Sequence, residues 1–428
     1  MIQNVRGTFD VLPDGRDGAG GYVPGSTAWR HVEDVVRSVM ERFRFEEIRT
    51  PVIEPIELIA RGVGSTTDIV QKEMFVVPRE DETYVLRPEV TAPVMRAYLQ
   101  HHLGQRGGTQ RLYYLGPCFR AERPQKGRYR QFHQWGVELI GAAGAAADAD
   151  VIASMRAVYD AFGIAGTRLR INSLGGAGAR ANFRDALRAY LEPHAGALSE
   201  TSRQRLETNP LRILDTKDDG ERALLEGAPR LMQFLTDDER AHYDEVRSLL
   251  AGVGIPCIED PLLVRGIDYY TGVVFELETD DIGAQSALAA GGRYDGLAEA
   301  VGGKQPVPAV GYAAGVERLL LALHAAGYAF PGAAPADAYV VALPGGSGAA
   351  FGLAQRLRAA GLNVAQTVDA GSFKKLMKDA ERSGARSYVL VGEREAAAGV
   401  AAVKDAASGE QREVPFEALA DALRRSAE

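Results

Sequence analysis

The chain has 428 residues, 46% of them hydrophobic and 25% charged, and its 49 basic against 57 acidic side chains leave a net charge of −8. This average globular usage excludes disordered, collagen-like and fibrous classes, and the acidic balance excludes a protein that coats nucleic acid through bulk charge, though not one with a local basic groove. Two or three domains are expected at this length; Cys118 and Cys257 are too isolated for a disulfide framework or a zinc site and fit a reducing, cytoplasmic setting; and no run approaches the ~18 apolar residues of a membrane span.

Asp14 to Gly25, DGRDGAGGYVPG, reads as a glycine-rich surface loop. From Ser26 a Ser or Thr cap leads into Trp29, Val32, Val35, Val36, Val39 and Phe43 at helical spacing, an amphipathic helix. Phe45, Ile48 and Val52 around Pro51, then Met74 to Val77 and Tyr84 to Leu86, read as short strands. Irregular strands with few crossover helices predict an antiparallel rather than a doubly wound sheet. Residues 178–256 carry helical patterns and read as a helical insertion, after which strand-like text resumes at Val264 and a helix follows over Val316 to Ala325. Residues 324–337 are punctuated by Pro and Gly and mark a boundary, giving a first domain over 1–330. Beyond it, residues 335–428 alternate strands (AYVVAL, NVAQTV, SYVLVG) with helices, the pattern of a separate α/β domain.

The densest polar constellation lies between Gly116 and Glu138. It carries Arg120, Arg123, Lys126, Arg128 and Arg130 with Glu122 as the one acid before Gln131. PQKG at its middle, with apolar residues on both sides, reads as two strands joined by a long basic loop. Such a loop suits a polyphosphate or a nucleic-acid end, because a guanidinium fork binds phosphate bidentately; a solvated hairpin is the plain alternative. In LLVRGIDYYTG, Arg265 precedes Asp268, Tyr269 and Tyr270, an arrangement for an anionic centre beside an orienting phenol or simply for tyrosines buried at a sheet edge. In AAGGRYDGL (289–297) the adjacent glycines permit close backbone approach to a ligand, or make a turn before Tyr294. Arg318, on the first turns of an apolar helix, calls for a phosphate, a partner carboxylate or a salt bridge with Glu317. In the C-terminal region, a helix from Ser372 sets Phe373, Leu376, Met377 and Ala380 on one face and Lys374, Lys375, Lys378 and Arg382 on the other. That cationic stripe can follow a phosphate backbone or merely be solvated.

Taken in order, VRGTFDVLP, LRPEVTAP (86–93), FRAERPQKGRYRQFHQ (119–134), LVRGIDYYT (263–271), AAGGRYDGL and GYAAGVERLLL resemble the signatures of the histidyl-tRNA synthetases, a family of class II aminoacyl-tRNA synthetases, over nearly the whole chain. The resemblance implies an α+β class II synthetase: a catalytic domain built on a six-stranded antiparallel sheet with a helical insertion, plus a C-terminal α/β anticodon-binding domain. It implies activation of L-histidine by ATP with Mg²⁺, transfer to the 3′ end of tRNA(His), a homodimer and no membrane. Carried over residue by residue, Arg120, Arg265 and Arg318 are the catalytic cations, on the α-phosphate and carboxylate (Arg120 and Arg265) and the γ-phosphate (Arg318). Glu122 sits near the adenine or 3′ end. Glu89, Val90, Thr91 and Gln134 hold the histidine amino and carboxylate groups, Glu138 with Tyr269 and Tyr270 reads the imidazole, and Arg123, Gln125, Lys126 and Arg128 meet the tRNA acceptor end. The anticodon stem then falls to the domain carrying Lys374, Lys375 and Lys378. Val90 stands where the family commonly has glycine, and Gly272 where arginine is frequent. The rival from another class is a histidine-binding regulatory paralogue of ATP phosphoribosyltransferase without charging activity; synthetases for threonine, proline or glycine are another, against which LVRGIDYY and Glu138 argue.

Overall fold

The computed structural model describes residues 2–18, 21–125, 127–280, 286–332 and 334–425, and the chain divides into two compact units, Met1–Pro331 and Gly332–Glu428. The glycine-rich stretch expected as a loop contains an antiparallel hairpin, β1 (Arg16–Gly18) with β2 (Gly21–Val23). Main-chain pairing needs no side chain, so glycine content alone did not reveal it; Ala19 and Gly20 lie outside the described residues. The helix α1 (Ser26–Arg42) buries Val32, Val36, Val39 and Met40 as its spacing demands, but its cap residue is Gly25 and no side chain caps it.

In chain order there follow β3 (Glu46–Glu47), β4 (Ile53–Pro55), α2 (Ile56–Val63), β5 (Phe75–Arg79), β6 (Glu82–Leu86) and α3 (Thr91–Gln100). Then come β7 (Gln110–Phe119), β8 (Gln131–Ile140), α4 (Ala145–Ala161), β9 (Arg168–Ser173), α5 (Ala177–Leu191), α6 (Glu200–Thr208), α7 (Asp219–Leu225) and α8 (Asp237–Gly252). The unit ends with β10 (Cys257–Glu259), β11 (Val273–Glu278), β12 (Ala287–Arg293), α9 (Leu297–Ala300), β13 (Ala309–Gly315) and α10 (Val316–Ala325). The main sheet runs β10-β9-β11-β12-β13-β8-β7-β3. Its six inner strands are antiparallel, and the short edge strands β10 and β3 are parallel to their neighbours.

Period-two alternation gives this sheet two different faces. Trp135, Val137 and Leu139 of β8, Val310 and Tyr312 of β13 and Val273, Phe275 and Leu277 of β11 join a core with α1, α4, α8 and α10, in which Trp135 meets Tyr312 edge-on at 5.3 Å. The intervening residues Gln134 and Glu138 of β8, Gly311 of β13 and Glu276 of β11 face the other way, where the sheet is not simply filled with apolar side chains. The helices of the 178–256 stretch divide between these faces. Tyr243, Val246 and Leu250 of α8 belong to the first core, whereas Phe183, Leu187, Leu206 and Leu225 of the earlier helices share a second cluster with Leu263, Tyr270 and Val274. On the first face the guanidinium of Arg293 of β12 pairs with the fully buried Asp148 of α4; removing one partner of such a pair costs about 3–5 kcal/mol.

The second unit holds β14 (Ala338–Ala342), α11 (Ser347–Ala359), β15 (Val364–Gln366), α12 (Phe373–Arg382), β16 (Ser387–Val391), α13 (Glu393–Ala398), β17 (Val400–Asp405), β18 (Gln411–Pro415) and α14 (Leu419–Arg425). Its sheet, β15-β14-β16-β17-β18, is parallel across the first three strands and antiparallel across the last two. The antiparallel half carries less of the strand-helix alternation by which the domain announces itself.

Candidate active site

The second face of the main sheet forms the floor of a cavity of about 180 Å³, lined by Glu89, Thr91, Arg120, Glu122, Arg128, Gln134, Arg265, Tyr269, Tyr270, Glu276 and Arg318 among others. Residues from five separate stretches of sequence thus meet at one hole. Glu89 precedes α3 and its carboxylate accepts from the amides of Thr91 (2.8 Å) and Ala92 (3.0 Å), neutralising the positive end of that helix. Burial pushes its carboxyl up, against the pull of those two amides. Each oxygen retains a lone pair for a cationic ligand. The side chain of Val90 does not line the cavity but is buried in the second apolar cluster.

Glu138 does not itself line the cavity but lies buried directly behind Thr91, which does. Its Oε1 accepts from the Thr91 hydroxyl at 2.6 Å and its Oε2 from the Tyr294 hydroxyl. Burial raises the Glu138 carboxyl to about 8, although both hydroxyl donors favour the charged form. Space for the carboxylate is made on the adjoining strand, because a Cβ at Gly311 would stand 2.0 Å from Glu138 Oε2. One strand further on, a Cβ at Gly292 would press the Tyr270 ring at 2.9 Å. Gly291 and Gly292 therefore lie within a strand, not in the turn that the sequence also allowed. Tyr269 packs against Tyr270 with ring centres 4.6 Å apart and against Tyr294 at 5.5 Å, forming an aromatic wall.

The three arginines approach from different elements. Arg120, past the end of β7, donates from Nε to the Pro88 carbonyl at 3.0 Å and lies over the Phe132 ring at 5.3 Å. Arg265 donates from Nη1 to Glu276 at 2.6 Å, while its Nε is buried and finds no partner. Burial opposes its charge, but Glu276 and the oxygens of Tyr270 and Tyr269 outweigh that, so its pKa is raised. Arg318 donates to the carbonyls of Gly127 (3.3 Å) and Ala287 (2.7 Å), and burial together with the positive charges of Arg128 and Arg120 lowers its pKa. Glu317, one candidate partner for Arg318, accepts from the backbone amide and Nδ1 of His133, each at 2.9 Å. Gln134 accepts from the buried thiol of Cys118 at 3.3 Å, which frees its amide nitrogen toward the cavity.

The basic loop between β7 and β8 forms the outer wall. Gln125 and Arg128 pair across a turn with Gly127 at φ +74°, and Arg128 makes an ion pair with Glu122 at 3.3 Å. The loop is held from outside by the N-terminal stretch. Arg130 donates its amide to the Gly7 carbonyl at 2.7 Å, and Phe9 meets Tyr129 edge-on at 4.8 Å. Arg123 and Gln125 are exposed and line a second hollow with Arg128 and Lys72; Lys126 lies outside the described residues. In the second unit, Lys374, Lys375 and Lys378 are exposed on α12, which Ser372 caps. Leu376 and Ala380 are buried beneath it, but Phe373 is 58% exposed, so the apolar stripe is shorter than its spacing predicted. Glu276 and Glu317 line the cavity and Tyr294 reaches Glu138 behind it, none of them expected there from the sequence. Tyr294 stood in a quoted motif, but its link to Glu138 depends on the register Gly292–Gly311–Glu138 across three strands, which no local pattern encodes.

A family model described as "Histidyl-tRNA synthetase" matches residues 24–319, and one described as "Anticodon binding domain" matches residues 337–426. Histidine–tRNA ligases of Synechococcus elongatus and Chlorobium phaeovibrioides are 45% and 44% identical over 96% and 99% of this chain and 92% and 98% of their own. The crystal structure of apo S. aureus histidyl-tRNA synthetase superposes with a TM-score of 0.81 at 34% identity, covering 99% of this chain and 100% of that one.

Proposed function

Because the chain belongs to the histidyl-tRNA synthetase family, we propose that the cavity on the second face of its main sheet is where histidine and ATP react. The chain is a histidine–tRNA ligase: it activates L-histidine with ATP to histidyl-adenylate and passes the aminoacyl group to the 3′ end of tRNA(His). A histidine carboxylate oxygen attacks the ATP α-phosphorus as the bond to pyrophosphate breaks. A hydroxyl of the terminal adenosine then attacks the carbonyl carbon and AMP leaves. Neither step needs a protein nucleophile; both need alignment and neutralisation of charge.

The observation that carries the residue assignments is the convergence of three arginines, a helix-capping carboxylate and a tyrosine wall on one cavity. In this reading Arg120 and Arg265 grip the α-phosphate and carboxylate from opposite sides and Arg318 takes the γ-phosphate. Glu122 lies by the adenine or 3′ end, while Glu89, Thr91, the Val90 backbone and Gln134 hold the amino and carboxylate groups. Glu138, with Tyr269, Tyr270 and Tyr294, reads the imidazole, one ring nitrogen donating to a carboxylate and the other meeting a hydroxyl. Glu122 and Glu276 also line the cavity. Two carboxylates beside a polyphosphate fit Mg²⁺ held mainly by the nucleotide's own oxygens; among the described residues, no group of three His, Cys, Asp or Glu is placed to hold a metal alone. Bound there, Mg²⁺ would neutralise phosphate charge.

Arg123, Gln125, Lys126 and Arg128 would meet the acceptor end, and Lys374, Lys375 and Lys378 the anticodon stem. Changing those three lysines together to alanine is expected to raise the KM for tRNA by several-fold to about tenfold and to flatten its salt dependence, with adenylation intact; unchanged tRNA kinetics would return α12 to a solvated face. A homodimer is supported by Ile53 and Val77, 51% and 39% exposed on one face of the β4-β6-β5 sheet. A cytoplasmic setting is supported by the two free thiols of Cys118 and Cys257; no helix among the described residues is long and apolar enough to cross a membrane. The regulatory-paralogue reading is not favoured, since the match extends through the anticodon-binding domain. ATP–pyrophosphate exchange is expected with histidine and not with threonine, proline or glycine, followed by charging of tRNA. Histidine binding without exchange would overturn the assignment.

A further inference from the structure

The stretch NPLRILD in the helical insertion belongs to none of the motifs read for chemistry, yet it touches the segment that bears Arg265. It folds as a short 3-10 helix, Pro210–Asp215, anchored by the buried Ile213 and Leu214 in the same apolar cluster that receives Leu263 and Tyr270. From this turn the Arg212 side chain, 16% exposed, donates from Nη1 to the carbonyl of Thr66 at 3.2 Å and from Nη2 to the carbonyl of Gly266 at 3.1 Å. One planar fork thus spans two loops that are far apart in sequence. Asp68 lies 3.9 Å from the same guanidinium, and Arg205, 4.0 Å from Asp68, donates to the Arg212 carbonyl at 3.1 Å.

The two loops are also locked to each other. Asp268 donates its amide to the Val63 carbonyl at 3.1 Å and accepts from the Thr66 hydroxyl at 3.1 Å. Gly64, at φ +105°, leaves the room that Asp268 fills, since a Cβ there would stand 2.4 Å from its carboxylate. Gly266 directly follows Arg265, and Ile267 lines the cavity. No regular element spans this run between β10 and β11; Asn172 donates to the Leu263 carbonyl at 3.0 Å and Arg180 to the Tyr270 carbonyl at 2.7 Å at its two ends, and the contacts of Arg212 and Asp268 hold the stretch between them. Among the described residues, the Arg265 side chain is hydrogen-bonded to Glu276, and its Nε is unpartnered.

We infer that Arg212 is a positioning residue for adenylate formation: by clamping Gly266 against Thr66 from the helical insertion, it fixes the backbone from which Arg265 reaches the reacting phosphate. This rests on the role given above to Arg265. The test is histidine-dependent ATP–pyrophosphate exchange, without tRNA and normalised to titrated active sites, on Arg212→Ala, Arg212→Lys and Arg265→Ala. Misplacing a transition-state cation acts on kcat, so Arg212→Ala is expected to lose about tenfold or more in kcat with the histidine KM within about twofold. Arg212→Lys keeps the charge beside Asp68 but not the two-carbonyl fork and should lose nearly as much; added guanidinium, but not ammonium, should partly restore Arg212→Ala. Normal exchange with only a raised KM for tRNA would mean that Arg212 serves the nucleic acid, and normal kcat with only a lowered melting temperature would make it a brace; either overturns the proposal. If Arg265→Ala itself exchanges normally, the assigned role of Arg265 fails and this inference with it, whereas an inactive Arg265→Ala beside a normal Arg212→Ala sinks the inference alone.

Discussion

Arg265→Ala is expected to lower the kcat of histidine-dependent ATP–pyrophosphate exchange by roughly 10²–10³ with little loss of folding, the loss that follows when a preorganised donor to developing charge is removed. Two features set this magnitude. The Nε of Arg265 is buried and unmatched inside the protein, and a buried donor without a partner is costly unless a ligand completes it. Its ion-pair partner among the described residues, Glu276, also lines the cavity. Without the guanidinium that carboxylate would face incoming phosphate with nothing to cancel it, so the variant loses an attraction and gains a repulsion. Arg265→Lys should recover little, since an ammonium cannot serve Glu276 and a second anion in one plane. Single-turnover adenylation separates chemistry from product release; near-normal kcat in the alanine variant removes Arg265 from the mechanism.

Glu138→Gln should reduce kcat/KM for histidine by about 10³ or more while the KM for ATP holds, because a site built to satisfy a polar ring rejects a mismatch through the groups it leaves unpaired. Ionised against a bound imidazole, the glutamate offers two acceptor oxygens, which in this structure are met by Thr91 and Tyr294. A glutamine offers one, so a hydroxyl must turn away or the imidazole must go without. The same substitution reports on protonation. With its carboxyl raised from an ordinary 4.5 to about 8, the folded protein keeps a proton on Glu138 that the unfolded chain has released. Its contribution to stability is fully present below about 4.5 and is lost as pH rises to about 8. The melting temperature of the wild type, measured against Glu138→Gln, should therefore decline over that interval. A difference that does not vary with pH would mean that Glu138 ionises as freely in the folded state as in the unfolded chain.

Local chemistry made much of this site legible. The PQKG turn between apolar flanks located β7 and β8 and the cationic loop between them, and helical spacing located α1, α10 and α12. The signatures that resemble one enzyme family carried the three arginines, Glu89 and Glu138. What stayed hidden depends on pairing between distant segments. Tyr294 meets Glu138 because of the register of three strands, and Glu276 meets Arg265 because of how β11 lies beneath a loop. Arg212 acts on two carbonyls, groups that every residue possesses and no pattern distinguishes. Main-chain pairing also hid the hairpin β1-β2 within glycine-rich text, and β17-β18 lay outside the strand-helix alternation that announced the second unit.

The fit between Gly311 and Glu138 bears on how this pocket can change over evolutionary or engineered time. A Cβ at position 311 would stand 2.0 Å from the carboxylate and 2.3 Å from the Val137 carbonyl oxygen, so the neighbouring backbone bars a side chain there whichever residue stands at 138. A shorter residue at 138 would open a void that Gly311 has no side chain to fill. Such a void must be refilled from elsewhere in the pocket, and the way to a different amino acid passes through variants that recognise neither the old substrate nor the new one. Fidelity toward histidine is in this sense guarded by a valley in the space of sequences, as well as by hydrogen bonds.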